Sequence, residues 1–263
     1  MKRKNLSVLI FGAGIALATA MASAETLTVS AASSLTDAFK EIGKGFEAAY
    51  PGNKVEFNFA ASGVLLQQIA RGAPVDVFAS ADQETMDKAA AGNHIKNETR
   101  VNFTGNSLVV IVPKDSKLKI TGLKDLTNAD IKRIVIGNPS TTPNGRYARS
   151  AMQAAGVWET VQPKLIFAEN VRQSLSYVGR GEVDAGFVFA TDAKQDENKV
   201  NVALTVPTVV KDEKNGQWTS SPIVYPIAEV AASKNKLGGV FIAYVLSPDG
   251  KKVLERYGFL MVQ

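Results

Sequence analysis

Between Thr26 and Ala90 the chain switches three times between a two-residue and a helical period of apolar positions. TLTVSA alternates as a strand does, and after Ser34 the apolar residues Leu35, Ala38, Phe39, Ile42 and Phe46 recur at helical spacing until Pro51 and Gly52 stop them. VEFNFA predicts a second strand, with Leu65, Leu66 and Ile69 marking a shorter helix that ends near Gly72. VDVFAS predicts a third strand, followed by a helix through Met86 to Ala90. A second series begins at SLVVIV and continues through RIVIGN, a helix from about Gly145 to Ala155, KLIFAE, a helix from Val171 to Gly179, and AGFVFA. Strands alternating with helices predict parallel sheets joined by right-handed crossovers, and two such series predict two α/β lobes. After the polar loop KDEKNGQWTSSP come a strand, IVYPIAEVAA, and two helices, Gly239 to Leu246 and Pro248 to Tyr257. This tail is expected to return to the first lobe, because a cleft that closes needs a hinge of more than one strand.

The amino end has a different character. Met1, Lys2, Arg3 and Lys4 precede an apolar run from Leu6 to about Met21 and the small residues Ala22, Ser23 and Ala24, the form of a secretory signal cleaved after Ala24. The run is short and interrupted by Gly12 and Gly14, which favours a cleaved leader over a membrane anchor. Without Lys2, Arg3 and Lys4, Lys+Arg falls from 30 to 27 against 25 Asp+Glu, and the formal charge from +5 to +2. Most of the basicity therefore belongs to the leader. No arginine-rich helix or alternation of basic and aromatic residues remains, so no nucleic acid is expected as a partner. The absence of cysteine removes disulfides, thiolate metal sites, a cysteine nucleophile and a lipid-anchor cysteine.

Four strand-to-helix junctions carry small or amide-bearing residues: Ser33 and Ser34, Ser62 and Gly63, Asn144 and Gly145, Asn170 and Val171. In α/β sheets ligands collect beyond the carboxyl ends of strands, where helix starts present unpaired N–H groups and a positive dipole end. One such serine is ordinarily a helix cap, and Ser34-x-x-Asp37 has capping-box form with Asp in place of Glu or Gln. Four together are what an anion cradle requires.

The blocks TVSAASSLTDAF, FAASGVLLQQI, GAPVDVFASAD, GNSLVVIVPKDS, GNPSTTPNGRYA, AENVRQSL and RYGF, in this order over nearly the whole mature chain, resemble the periplasmic molybdate-binding proteins of ABC-type importers. The resemblance implies an α/β, two-lobed periplasmic binding protein fold of type II-like form, each lobe a mostly parallel sheet flanked by helices, with the ligand in the interlobe cleft. Residues 25–106 would form the first part of lobe 1, 107–219 lobe 2, and 220–263 the return to lobe 1. It further implies a tetrahedral oxyanion, molybdate or tungstate, bound without cationic side chains or a cofactor, in a monomer that delivers its cargo to a membrane permease from the periplasm. Carried over position by position, the hydroxyl ligands fall on Ser34 and Ser62, and main-chain donors on Asn144, in place of a frequent alanine, and on Val171. At Phe189 the family commonly has a tyrosine whose hydroxyl reaches the anion, and phenylalanine has nothing to donate.

A donor-only site suits molybdate, tungstate or sulfate, which present acceptors alone, and disfavours hydrogen phosphate, whose proton needs an acceptor. Sulfate or thiosulfate is the alternative cargo. Asp76 is expected to cap or pair within its lobe, Arg146 and Tyr147 to sit at the surface or lobe interface, and His94 to cover helix-terminal carbonyls. An exported hydrolase is disfavoured: no G-x-S-x-G, Walker loop or H-E-x-x-H occurs, and His94 is the single histidine. A ferric-ion binder would need tyrosines clustered with carboxylates, and Tyr177 and Tyr225 lack such company in sequence.

Overall fold

The structure is a computed structural model and describes residues 25–262, so the expected leader and its cleavage point lie outside the described residues. Strand β1 (Thr26–Ala32) runs into a 3₁₀ turn, Ser33–Leu35, and then helix α1 (Thr36–Ala49). The inward face of α1 buries Ala38, Phe39, Ile42 and Phe46, the positions its helical period marked. The capping box expected at Ser34 does not form. The 3₁₀ turn delays the helix by one residue, Leu35 becomes the N-cap without a side-chain bond, and Asp37 pairs with Arg172 instead.

Next come β2 (Lys54–Ala60), α2 (Ser62–Ala70), β3 (Val77–Ala79), α3 (Gln83–Ala91) and β4 (Val101–Asn106). The chain then enters a second sheet through β5 (Leu108–Pro113), β6 (Ile134–Gly137), α4 (Pro143–Ala154), α5 (Trp158–Val161), β7 (Leu165–Ala168), α6 (Val171–Gly179), β8 (Ala185–Phe189), α7 (Ala190–Gln195) and β9 (Val200–Val206). A small hairpin, β10 (Val209–Lys211) with β11 (Trp218–Ser220), occupies the polar loop. Strand β12 (Ile223–Glu229) then rejoins the first sheet, followed by α8 (Leu237–Leu246) and α9 (Pro248–Arg256).

The sheet orders are β2-β1-β3-β12-β4 and β7-β6-β8-β5-β9. Both are mixed: four of the five strands run one way, and one, β12 in the first sheet and β5 in the second, runs against them. In each, the two pairings built from βαβ units are parallel, and those made by β12 and β4, or by β5 and β9, are antiparallel. The reason is geometric: a strand that enters one sheet directly from the other has no crossover helix to reverse its direction. β4, β9 and the hairpin escape the hydrophobic pattern because VNFTGN and VNVALTV mix polar and apolar residues irregularly.

An aromatic layer in the first lobe joins Phe39 edge-on to Phe241, and Phe46 to Phe241 and Tyr244, across α1 and α8. Each buried phenylalanine is worth about 1.5–3 kcal/mol of apolar transfer. Among the described residues no helix is long and apolar enough to cross a membrane.

Candidate functional site

The carboxyl ends of β1, β2, β6, β7 and β8 point at one gap between the lobes, and the turns after them enclose a small cavity. Ser34, Ser62, Asn144, Val171 and Phe189, far apart in sequence, all line it. Each is less than 5 % exposed. No charged residue is among the lining groups in the described residues.

The two hydroxyls are held in defined roles. Ser62 starts α2, whose N-cap Ala61 offers no side-chain acceptor; its Oγ accepts the Ala81 N–H at 3.0 Å, which leaves its own proton free to be donated. Ser34 Oγ lies 3.0 Å from Tyr225 Oη in the buried interior. On the second lobe, Thr142 caps α4 by accepting the Gly145 N–H at 3.2 Å, and Pro143 occupies the first helical position. The Asn144 main-chain N–H follows, in the first turn, where no intrahelical carbonyl is available. The Asn144 side chain is turned away, its Nδ2 donating to Phe187 O at 3.1 Å. Asn170 caps α6 by accepting the Gln173 N–H at 3.0 Å, so the Val171 amide stands at the helix start facing the cavity. Phe189 closes one wall, packed edge-on against Tyr147 and Tyr225 at centroid distances of 6.4 and 5.8 Å.

The lobes meet closely around this gap. The Gly63 N–H donates to Thr141 O across the cleft at 3.0 Å, and a Cβ at Gly63 would come within 2.6 Å of that oxygen, so only glycine permits this approach. Two arginines bridge the rim. Arg146 Nη2 contacts Asp82 Oδ2 at 2.5 Å and Thr85 Oγ1 at 2.7 Å, placing it at the lobe interface. Arg172, one residue beyond Val171, reaches Asp37 of α1 at 2.7 Å and Asp192 of α7 at 2.6 Å. The Asp192 contact is an ion pair without a well-aimed hydrogen bond, since neither carboxylate oxygen finds a directed donor. Tyr147 is partly buried here, and desolvation with the nearby Asp82 carboxylate pushes its phenol far above the usual range.

Asp192 is fully buried, and burial raises its pKa from 3.8 to about 6, against the opposing charge of Arg172. An acid whose folded pKa is raised stabilises the fold below its unfolded pKa, and this contribution is lost as pH rises through the folded value. The stability difference between wild type and Asp192→Asn is therefore expected to shift against wild type between about pH 4 and 6, by roughly 3 kcal/mol in all. Urea unfolding of both proteins across pH 4 to 7.5 measures it; parallel curves would show that Asp192 titrates normally.

The remaining candidates lie elsewhere. Asp76 precedes β3, at the end of the sheet opposite the cleft, and its carboxylate accepts from Thr28 N, Ser233 Oγ and Asn235 Nδ2. It is a structural tie within the first lobe. His94 covers a helix-terminal carbonyl through its main-chain N–H, which donates to Ala89 O, while the imidazole lies against Gly92. Both residues border an open groove, larger than the interlobe cavity, but the Asp76 carboxylate there is already partnered. The described residues contain no group of His, Cys, Asp and Glu able to hold a metal ion. Sequence reasoning missed Arg172, Asp192 and the Tyr225–Asn106 pair. Tyr225 left one signal, a phenol in the middle of an otherwise apolar strand, IVYPIA.

A two-lobed α/β body with helix starts converging on a closed cleft defines a solute-binding protein. The family model for bacterial extracellular solute-binding proteins matches residues 27–260, and the chain belongs to that family. Among its relatives, the molybdate-binding protein ModA of Escherichia coli is 37 % identical over 266 residues, covering 98 % of this chain and 99 % of that one. The molybdate-binding protein ModA of Haemophilus influenzae is 34 % identical, covering 97 % and 96 %. The solved periplasmic molybdate-binding protein of Azotobacter vinelandii shares the fold with a TM-score of 0.72 at 21 % identity, over 90 % of this chain and 100 % of that one. So does the sulfate-binding protein SubI of Mycobacterium tuberculosis, with a TM-score of 0.72 at 14 % identity, over 91 % and 88 %.

Proposed function

We propose that this protein captures molybdate, and also tungstate, in the interlobe cavity and hands it to the membrane permease of an ABC importer. It would act as a monomer outside the cytoplasmic membrane after loss of residues 1–24. The observation that carries this is a closed cavity lined by hydroxyls and helix-start amides and by no charged side chain. The molybdate-binding relatives that match end to end support the choice of cargo. The bodies that close on the anion would be 25–106 with 220–263, and 107–219, hinged where β4 passes into β5 and where the chain returns to β12.

A dianion leaves water at great cost unless donors replace its hydration. Each N–H or O–H bonded to a charge is worth about 1.5–3 kcal/mol, so if about seven converge on the anion the gross gain is on the order of 10–20 kcal/mol. Lobe closure and lost ligand freedom reduce that to micromolar or nanomolar affinity. Thus no lysine or arginine is needed at the anion, and Arg146 and Arg172 are engaged with carboxylates at the rim.

Titration calorimetry with molybdate, tungstate, sulfate, thiosulfate and phosphate tests the assignment. Tight binding of molybdate and tungstate with weak binding of the others is expected; tight sulfate binding would reassign the cargo, and no heat with any oxyanion would end the proposal. Ser62→Ala and Ser34→Ala are each expected to weaken molybdate binding by about 1.5–3 kcal/mol with the fold retained. Unchanged affinity would remove those hydroxyls from the site. Phe189→Tyr is expected to tighten the complex by restoring a donor on the cavity wall. A looser complex would mean the site is built around phenylalanine.

A further inference from the structure

We propose that Tyr225 is a positioning residue for anion binding: backed by Asn106, its hydroxyl donates to Ser34 Oγ and so commits the Ser34 proton to the bound oxyanion. This rests on the oxyanion function proposed above and specifies how that site reads its ligand.

Tyr225 lies on β12, the strand by which the chain returns to the first lobe, and is fully buried. Its Oη has two polar neighbours, Ser34 Oγ at 3.0 Å and Asn106 Nδ2 at 3.1 Å. The Asn106 amide is oriented by its other end, because Oδ1 accepts the Ser107 N–H at 2.9 Å. Nδ2 therefore faces Tyr225, and also donates to Thr191 Oγ1 at 2.9 Å. An amide nitrogen only donates, so Tyr225 Oη accepts from Asn106 and its own proton has Ser34 Oγ as the remaining acceptor. Were Ser34 to donate to Tyr225 instead, the phenol proton would be buried without a partner, a state that buried donors rarely tolerate.

Ser34 thus receives one hydrogen bond from within the protein and keeps one proton, which the cavity alone can accept. Ser62 is set the same way by the Ala81 N–H. Both hydroxyls become donors by construction, which gives a physical basis for excluding ligands that bring a proton of their own. Burial holds the Tyr225 phenol well above its usual pKa, so it remains a donor at any working pH. The relay also joins the lobes, since Asn106 ends β4 immediately before the crossing into β5 and reaches Thr191 on α7.

Tyr225→Phe removes one oxygen and keeps the ring. Its molybdate affinity, measured by titration calorimetry, is expected to fall about tenfold, with the preference for molybdate over hydrogen phosphate narrowing. The double variant Ser34→Ala/Tyr225→Phe is expected to bind no more weakly than Ser34→Ala, because Tyr225 acts only through Ser34. Unchanged affinity in the single variant, or the same tenfold loss in the Ser34→Ala background, would overturn the proposal. Neutron diffraction of the deuterated wild type needs no variant: deuterium on Tyr225 Oη directed at Ser34 is expected, and deuterium on Ser34 directed at Tyr225 would overturn it. If the wild type binds no oxyanion, the function fails, while the neutron map still decides the direction of the relay.

Discussion

Arg172→Ala is expected to destabilise the protein by about 3–5 kcal/mol at pH 7.5, the characteristic loss when one partner of a buried ion pair is removed. Asp192 is 0 % exposed, and Arg172 is the cation beside it, with Nε 2.6 Å from Oδ1. Without that cation the carboxylate would remain ionised in a dry site or take up a proton at the expense of folding. Arg172 also carries the contact to Asp37 on the other lobe, so its loss frees the rim of the cleft as well. Asp192→Asn added to Arg172→Ala should recover most of the stability, because the charge is then gone. Urea unfolding of the three variants checks this; a loss below about 1 kcal/mol, or no recovery in the double variant, would show that the pair is unimportant.

Val171→Pro is expected to weaken molybdate binding by about tenfold to a hundredfold while the helix stays intact. The first helical position is where proline is best tolerated, since its N–H has no intrahelical acceptor and its fixed φ suits the helix. The preceding residue must be extended, and Asn170 already is, at φ −158 and ψ 171. The substitution therefore deletes the main-chain donor proposed to hold the anion and little else. Val171→Ala keeps the N–H and should bind almost as the wild type does. Calorimetry with circular dichroism on both variants separates the outcomes: a folded Val171→Pro protein with wild-type affinity would exclude this amide from the site.

The alternation of periods is visible in the chain because a helix buries every third or fourth residue and a strand every second. Phe39, Ile42 and Phe46 of α1, Val171 to Gly179 of α6 and Ala185 to Phe189 of β8 were legible for that reason. The antiparallel strands were not, since direction within a sheet is a property of neighbours far apart in sequence, and Asn102, Thr104 and Asn106 blur the pattern of β4. Among the site residues, Ser34 and Ser62 were visible as hydroxyls at strand-to-helix junctions. Ser34 turned out to cap no helix, because a 3₁₀ turn intervenes and a phenol 191 residues away takes up its oxygen.

The amino-acid sequence alone determined two α/β series, helix starts free of bulky or charged residues, and a family resemblance that runs from end to end, because each is written in local composition and order. Tertiary structure alone decided that five separated residues wall one cavity, that Arg146 and Arg172 serve carboxylates across the rim, and that Tyr225 and Asn106 stand behind Ser34. Hydrogen bonds and ion pairs are contacts a few ångströms long between groups up to 191 positions apart, and only the folded chain brings those groups within reach.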